Sequence, residues 1–128
     1  MASPNIGTEN NTGITIGMPF RHSWTILFTT DASATYQEGD LDDWTFRLRL
    51  FNEEHSTTTV YDQTNSNSDW TVTLSGSTTT AQAVVLVNID SVSTGTLSRN
   101  IKAFYRFDVL DAEGELQYRI QGKAPIDT

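Results

Sequence analysis

Ile101-Lys-Ala-Phe-Tyr-Arg-Phe-Asp-Val-Leu-Asp-Ala-Glu-Gly-Glu-Leu-Gln-Tyr-Arg-Ile-Gln-Gly-Lys-Ala124 is the stretch that decides the fold. Ile101, Ala103, Tyr105, Phe107 and Val109 alternate with Lys102, Phe104, Arg106 and Asp108. After Asp111-Ala112-Glu113-Gly114, Leu116, Tyr118, Ile120 and Gly122 alternate with Gln117, Arg119, Gln121 and Lys123. Period-two alternation on both sides of a glycine-bearing turn predicts a β-hairpin with one buried face. A two-stranded ribbon cannot bury that face alone, so the rest of the chain must supply a covering sheet.

The same pattern recurs upstream. Residues 1–12 are polar and punctuated by Pro4, Gly7, Asn10 and Asn11, and read as a flexible N-terminal arm. A single domain follows over 13–128. Gly13 to Gly17 is a short strand, and Pro19 stands at the start of the next. There Phe20, His22, Trp24, Ile26 and Phe28 share a face, and Leu27 breaks the polar one. Residues 30–40 read as a loop. Trp44, Phe46, Leu48 and Leu50 alternate with Thr45, Arg47 and Arg49. A turn over 52–56 precedes a short strand centred on Val60, and a turn over 65–68 precedes Trp70, Val72 and Leu74. Ala83 to Val87 is apolar on both faces, as in a central strand. Asp90 or Ser91 can cap one helical turn before the closing hairpin, which Pro125 is expected to stop. Seven to eight strands with Gly, Asn and Ser turns, and no helical stripe, predict an all-β sandwich.

Size and charge narrow the function. A chain of 128 residues fits one domain. It has no cysteine, hence no disulfide, thiolate zinc site or thiol nucleophile. No basic-apolar leader opens the sequence, and no apolar run approaches membrane-spanning length. A net charge of −8 argues against nucleic acid and anionic membranes as partners.

Candidates for chemistry are few. The histidines are His22, on the face of Trp24, and His55, in a turn beside Glu53 and Glu54; no nucleophile elbow or triad signature accompanies them. Carboxylates at Asp40, Asp42 and Asp43, at Glu53 and Glu54, and at Asp108, Asp111, Glu113 and Glu115 are expected at turns or strand ends, facing water. The segment 38–43 has oxygen ligands suited to calcium, but not the spacing of a helix-loop-helix calcium loop. Trp24, Trp44 and Trp70 fall on apolar faces, which places them in the core rather than on a sugar-stacking platform. No catalytic, cofactor or metal residue is assigned.

The residues also resemble a family. Gly17-Met18-Pro19-Phe20 resembles the entry strand of small tailed-bacteriophage virion proteins with an immunoglobulin-like β-sandwich, similar to the N-terminal module of phage baseplate upper proteins. Gly39 to Asp43 resembles the acidic approach to the next strand, and Trp44-Thr-Phe-Arg-Leu-Arg-Leu50 that strand itself. Val60-Tyr-Asp-Gln-Thr64 resembles the fourth strand, and 103–123 the closing hairpin. The arm and the 90–100 connection have no counterpart in the pattern. The resemblance implies an immunoglobulin-like fold and a non-enzymatic structural part of a tailed-phage virion. Its expected place is tail, baseplate or fibre attachment, with head decoration and host-carbohydrate binding as alternatives. The expected partners are other virion proteins and further copies of the chain in a symmetric oligomer, with no nucleic acid, membrane or cofactor. The contacts expected are Thr8, Asn10, Asn11 and Thr12 in the arm, Val60 on an edge strand and Phe104 on an outer face.

Overall fold

The computed structural model describes residues 13–29, 41–76 and 80–128, together with the backbone of Asn5–Ile6. In chain order the strands are β1 (Asn5–Ile6), β2 (Ile14–Thr15), β3 (Phe20–Thr29), β4 (Thr45–Phe51), β5 (Thr59–Thr64), β6 (Thr71–Gly76) and β7 (Thr80–Ile89). A single helical turn, α1 (Ser91–Gly95), leads to β8 (Phe104–Leu110), β9 (Leu116–Lys123) and β10 (Ile126–Asp127). One sheet has the order β1-β3-β7-β6 and the other β5-β4-β8-β9. Their pairs are antiparallel. This is the immunoglobulin arrangement, with strands A-B-E-D facing C′-C-F-G. The fold is an all-β, immunoglobulin-like sandwich.

The alternation explains the packing. In the first sheet Ile26 and Phe28 pair with Ala83 and Ala81, so each bulky side chain has a small neighbour. Trp24 pairs with Val85, and all six are buried. In the second sheet Phe46, Leu48 and Leu50 lie beside Val109, Phe107 and Tyr105, all buried. Across the interior Trp24 stacks on Phe107 with centroids 4.4 Å apart and planes 8° apart. Phe28 meets Trp44 edge-on at 5.2 Å. Each large side chain buried this way stabilises the fold by roughly 1.5–3 kcal/mol relative to exposure.

The hairpin turn is built as its sequence demands. Gly114 takes a positive φ of 84°. Asp111 accepts the Glu113 and Glu115 amides on Oδ1, and its Oδ2 accepts from Gln117 Nε2 at 2.7 Å. The predicted helical turn is α1, whose Ser93 amide donates to Asp90 Oδ1 at 2.7 Å.

Two expectations change, at Ile101 and at Leu116. Ile101 does not continue the inward face of β8 but is 59% exposed. Asn100 turns the chain there, accepting the Lys102 amide on its side chain and the Ala103 amide on its carbonyl. The hairpin ends at Lys123, before Pro125 as expected, and Ile126–Asp127 beyond it pairs in parallel with Ile14–Thr15, with both isoleucines buried. Leu116 points outward because the register shifts between Val109 and Leu110, leaving Gln117 as the extra residue. Within the N-terminal arm, Asn5–Ile6 pairs with Leu27 and Ile26 of the chain's own β3.

Candidate functional site

The outer face of the β5-β4-β8-β9 sheet collects the chain's cations. Cross-strand register places Arg47 and Arg49 of β4 beside Asp108 and Arg106 of β8, and those beside Arg119 and Gln121 of β9. Lys123 pairs with Phe104 on the same face. Five of the eight Lys and Arg residues therefore share one surface of a chain whose net charge is −8.

Asp108 corrects the expectation that the carboxylates face water at turns or strand ends. It lies in the middle of β8 and is 3% exposed. Arg49 Nη2 donates to its Oδ2 at 2.5 Å, and Arg119 donates through Nε at 2.6 Å and Nη2 at 3.0 Å. Two flanking arginines supply the charge and hydrogen bonds that make burial tolerable. Nearer the edge, Arg47 grips Asp62 of β5 with two bonds, at 2.8 and 2.6 Å. These bonds hold the Asp62 carboxyl below its usual range against the opposing effect of partial burial.

Arg106 differs from its neighbours. Its guanidinium lies 4.6 Å over the Phe51 ring, a cation–π contact that Arg49 shares at 5.5 Å, but unlike Arg49 it has no anion partner among the described residues. Among the described residues it makes no hydrogen bond or ion pair, and its Nε is buried without a partner. Phe51 and Phe104 are paired across β4 and β8 on this outer face, and neither belongs to the central core cluster.

Two clefts adjoin the end of this face. One, of about 330 Å³, is lined by Phe104, Ile101, Lys102, Lys123 and the turn Glu53–His55. His55 takes a positive φ of 71°, uncommon for a residue with a side chain. The other cleft, of about 390 Å³, is lined by Val60, Asn52, Leu97, Arg99, Asn100 and Ile126, among others. Asn100 Nδ2 donates to the Asn52 carbonyl at 2.7 Å and ties the two sides together.

The contact residues expected from sequence fall unevenly. Val60 is 41% exposed. The register passes from Leu50–Tyr61 to Phe51–Thr59, so Val60 is the extra residue of a bulge, the device that re-aims a side chain at a sheet edge. Phe104 is 7% exposed and cannot project as an anchor; packing at the outer-face end makes it the floor of a cleft. Thr8, Asn10, Asn11 and Thr12 lie outside the described residues, as do Glu38, Gly39 and Asp40 of the acidic segment. Trp24 and Trp70 are buried, and Trp44 is partly buried against the core. The Trp70 indole donates to the Tyr61 hydroxyl at 3.3 Å. Among the described residues no group of three His, Asp or Glu side chains is placed to hold a metal ion. The sequence reading missed Arg106 and the arginine network; alternate arginines on two strands were the available signal.

Neither a protein-family model nor a curated protein matches this chain.

Proposed function

We propose that this chain is a non-enzymatic assembly module of a tailed-phage particle that works by protein–protein contact, through strand addition at β5. The virion setting rests on the resemblance of the entry strand and closing hairpin. Tail or fibre adaptors and head-decoration proteins are two forms of this role, and both draw on the same edge chemistry.

The observation that carries the docking reading is the open edge of β5. Among the described residues no strand pairs with its outer side. The Asn65 amide donates to the Phe46 carbonyl at 3.0 Å. Antiparallel alternation from that bond turns Gln63 and Tyr61 toward β4, and the backbone groups of Asp62 and Thr64 toward the open edge. Natural edges are guarded by lysine, proline, charges or bulges, and the bulge of β5 is confined to Val60 near one end, leaving Tyr61 to Thr64 in regular register. The stretch Thr59-Val-Tyr-Asp-Gln-Thr64 has neither lysine nor proline, and Arg47 neutralises its one acid. An added strand would complete the unmet backbone bonds, and Val60 and its cleft would read the partner's side chains.

The test is the mass of the protein in solution, with and without residues 1–12 and as Val60→Lys, together with amide exchange. The expected result is a symmetric oligomer in which the Asp62 and Thr64 amides exchange slowly, and which Val60→Lys reduces to a folded monomer. A monomer at every concentration, with both amides exchanging fast, overturns strand addition between copies.

A further inference from the structure

We infer that the outer sheet face around Arg106 is a second docking site, for an acidic segment of a partner protein that carries an apolar side chain two residues from a carboxylate. The inference stands apart from the β5 edge and rests on different residues.

Charge selects the class of partner. Arg47, Arg49 and Arg119 are already matched to Asp62 and Asp108. Arg106 is not matched: its guanidinium lies over Phe51 with Nε buried, and among the described residues its outer Nη groups make no hydrogen bond that would compete with a partner's carboxylate. A half-buried guanidinium without an anion is an incomplete ion pair, and a partner carboxylate completes it by two parallel hydrogen bonds. Lys123, one strand over and next to Phe104, adds positive potential on the same side.

Geometry selects the spacing. Phe104 and Arg106 are two residues apart on one face of β8. Two strand residues span about 7 Å. An extended segment lying along β8 meets both when a large apolar residue and an Asp or Glu are separated by one residue. The apolar side chain enters the cleft of about 330 Å³ over Phe104, within the usual size of a ligand pocket. Ile101 is exposed at the rim and would be covered by the same side chain.

The rim argues against a nucleic acid. Glu53 and Glu54 line the cleft, and Asp62 and Asp108 sit on the face beyond it. A polyphosphate would carry a charge past each of these carboxylates, whereas a segment with a single carboxylate can place its one charge at Arg106. Nucleic-acid binding needs several uncommitted cations along a backbone, and this face offers few.

The probe is an acetylated nonapeptide with a central Phe-Ser-Glu in a Gly/Ser background, titrated into the full-length protein and followed by amide chemical shifts. The expected result is a saturable shift confined to the region of Phe104, Arg106, Gln121 and Lys123, weakened as salt is raised. Arg106→Gln, and separately the Glu→Gln and Phe→Ser peptides, should each weaken binding by at least about tenfold. The peptide variants need no mutant protein, so they remain decisive if Arg106→Gln unfolds. Val60→Lys should leave peptide binding unchanged, which separates failure here from failure of the strand-addition reading. The inference is overturned by the absence of saturable shifts, by shifts elsewhere, by equal binding of the Glu→Gln peptide, or by an oligothymidine that binds this face more tightly than the peptide.

Discussion

Trp24 and Phe107, one from each sheet, stack face to face at 4.4 Å with their planes only 8° apart. They stand on β3 and β8, the two strands that a disulfide joins in antibody domains. This chain has no cysteine, and an aromatic pair bridges the sheets in its place. Phe107→Ala should destabilise the fold by about 3–5 kcal/mol, since it removes most of a fully buried ring. Phe107→Leu keeps much of the volume but loses the ring contact, and a double-mutant cycle with Trp24→Leu should give a coupling of about 0.5–1.5 kcal/mol. Urea unfolding measures both. A coupling near zero would mean that the stack adds nothing beyond burial.

Asp108 sets the second prediction. Removing it leaves Arg49 and Arg119 facing one another without their shared anion. Asp108→Ala should cost about 3–5 kcal/mol, the usual penalty for stranding partners of a buried ion pair. Replacing Arg49, Asp108 and Arg119 together by Met, Leu and Met should cost far less, because desolvation offsets most of what the triad gains. Denaturant melts of the single and triple variants decide it: a triple variant less stable than Asp108→Ala would contradict this account.

The contrast between these two sites explains what the sequence could reveal. Trp24 and Phe107 were legible because each sits in a strict two-residue alternation, and burial of one face follows from that period alone. Asp108 was not. Carboxylates on a polar face ordinarily meet water, and its partner Arg49 lies 59 residues away, so only strand pairing brings the two together. Ile101 was misread for a local reason: it fits the alternation, but the side chain of Asn100 holds the preceding turn and sets the strand to begin at Phe104. Val60 was legible as an edge residue, yet the bulge that aims it depends on where β4 and β5 slip register. The unmatched charge of Arg106 required the other arginines to be placed first.

Acid should weaken the sheet edge. The Asp62 carboxyl is held below its unfolded value of 3.8 by hydrogen bonds from Arg47. A depressed folded value contributes stability that is fully present above the unfolded value and is lost as pH falls through the folded one. The loss therefore begins near pH 3.8 and continues at lower pH. Both side chains are about a third exposed, so the contribution is screened and amounts to at most about 1 kcal/mol. Urea melts across this range should fall more steeply for the wild type than for Asp62→Asn, and the difference should shrink in high salt. Parallel curves for the two proteins would remove Asp62 from the acid response.

Alkali should act through two tyrosines packed against the core. Burial raises the phenols of Tyr61 and Tyr105 above their ordinary value of 10.0, and at Tyr61 the hydrogen bond from the Trp70 indole offsets only part of this. The neutral phenol is the form that folding favours. Stability from these groups is therefore complete below pH 10.0 and is lost as pH rises through the raised folded values. The phenolate absorbance of Tyr105, which is fully buried, should consequently rise together with unfolding, not before it. Tyr61→Phe should abolish the part that belongs to β5. It should also cost about 0.5–1.5 kcal/mol at neutral pH, because the Trp70 indole loses its acceptor. Tyr105 lies between Leu50 and Gly122 in the middle of its sheet, so its ionisation requires opening of the core. If Tyr105 ionised near pH 10.0 while circular dichroism still reported a folded protein, water would be reaching the centre of the sandwich, and the packing around Trp24 would have to be looser than its ring contacts indicate.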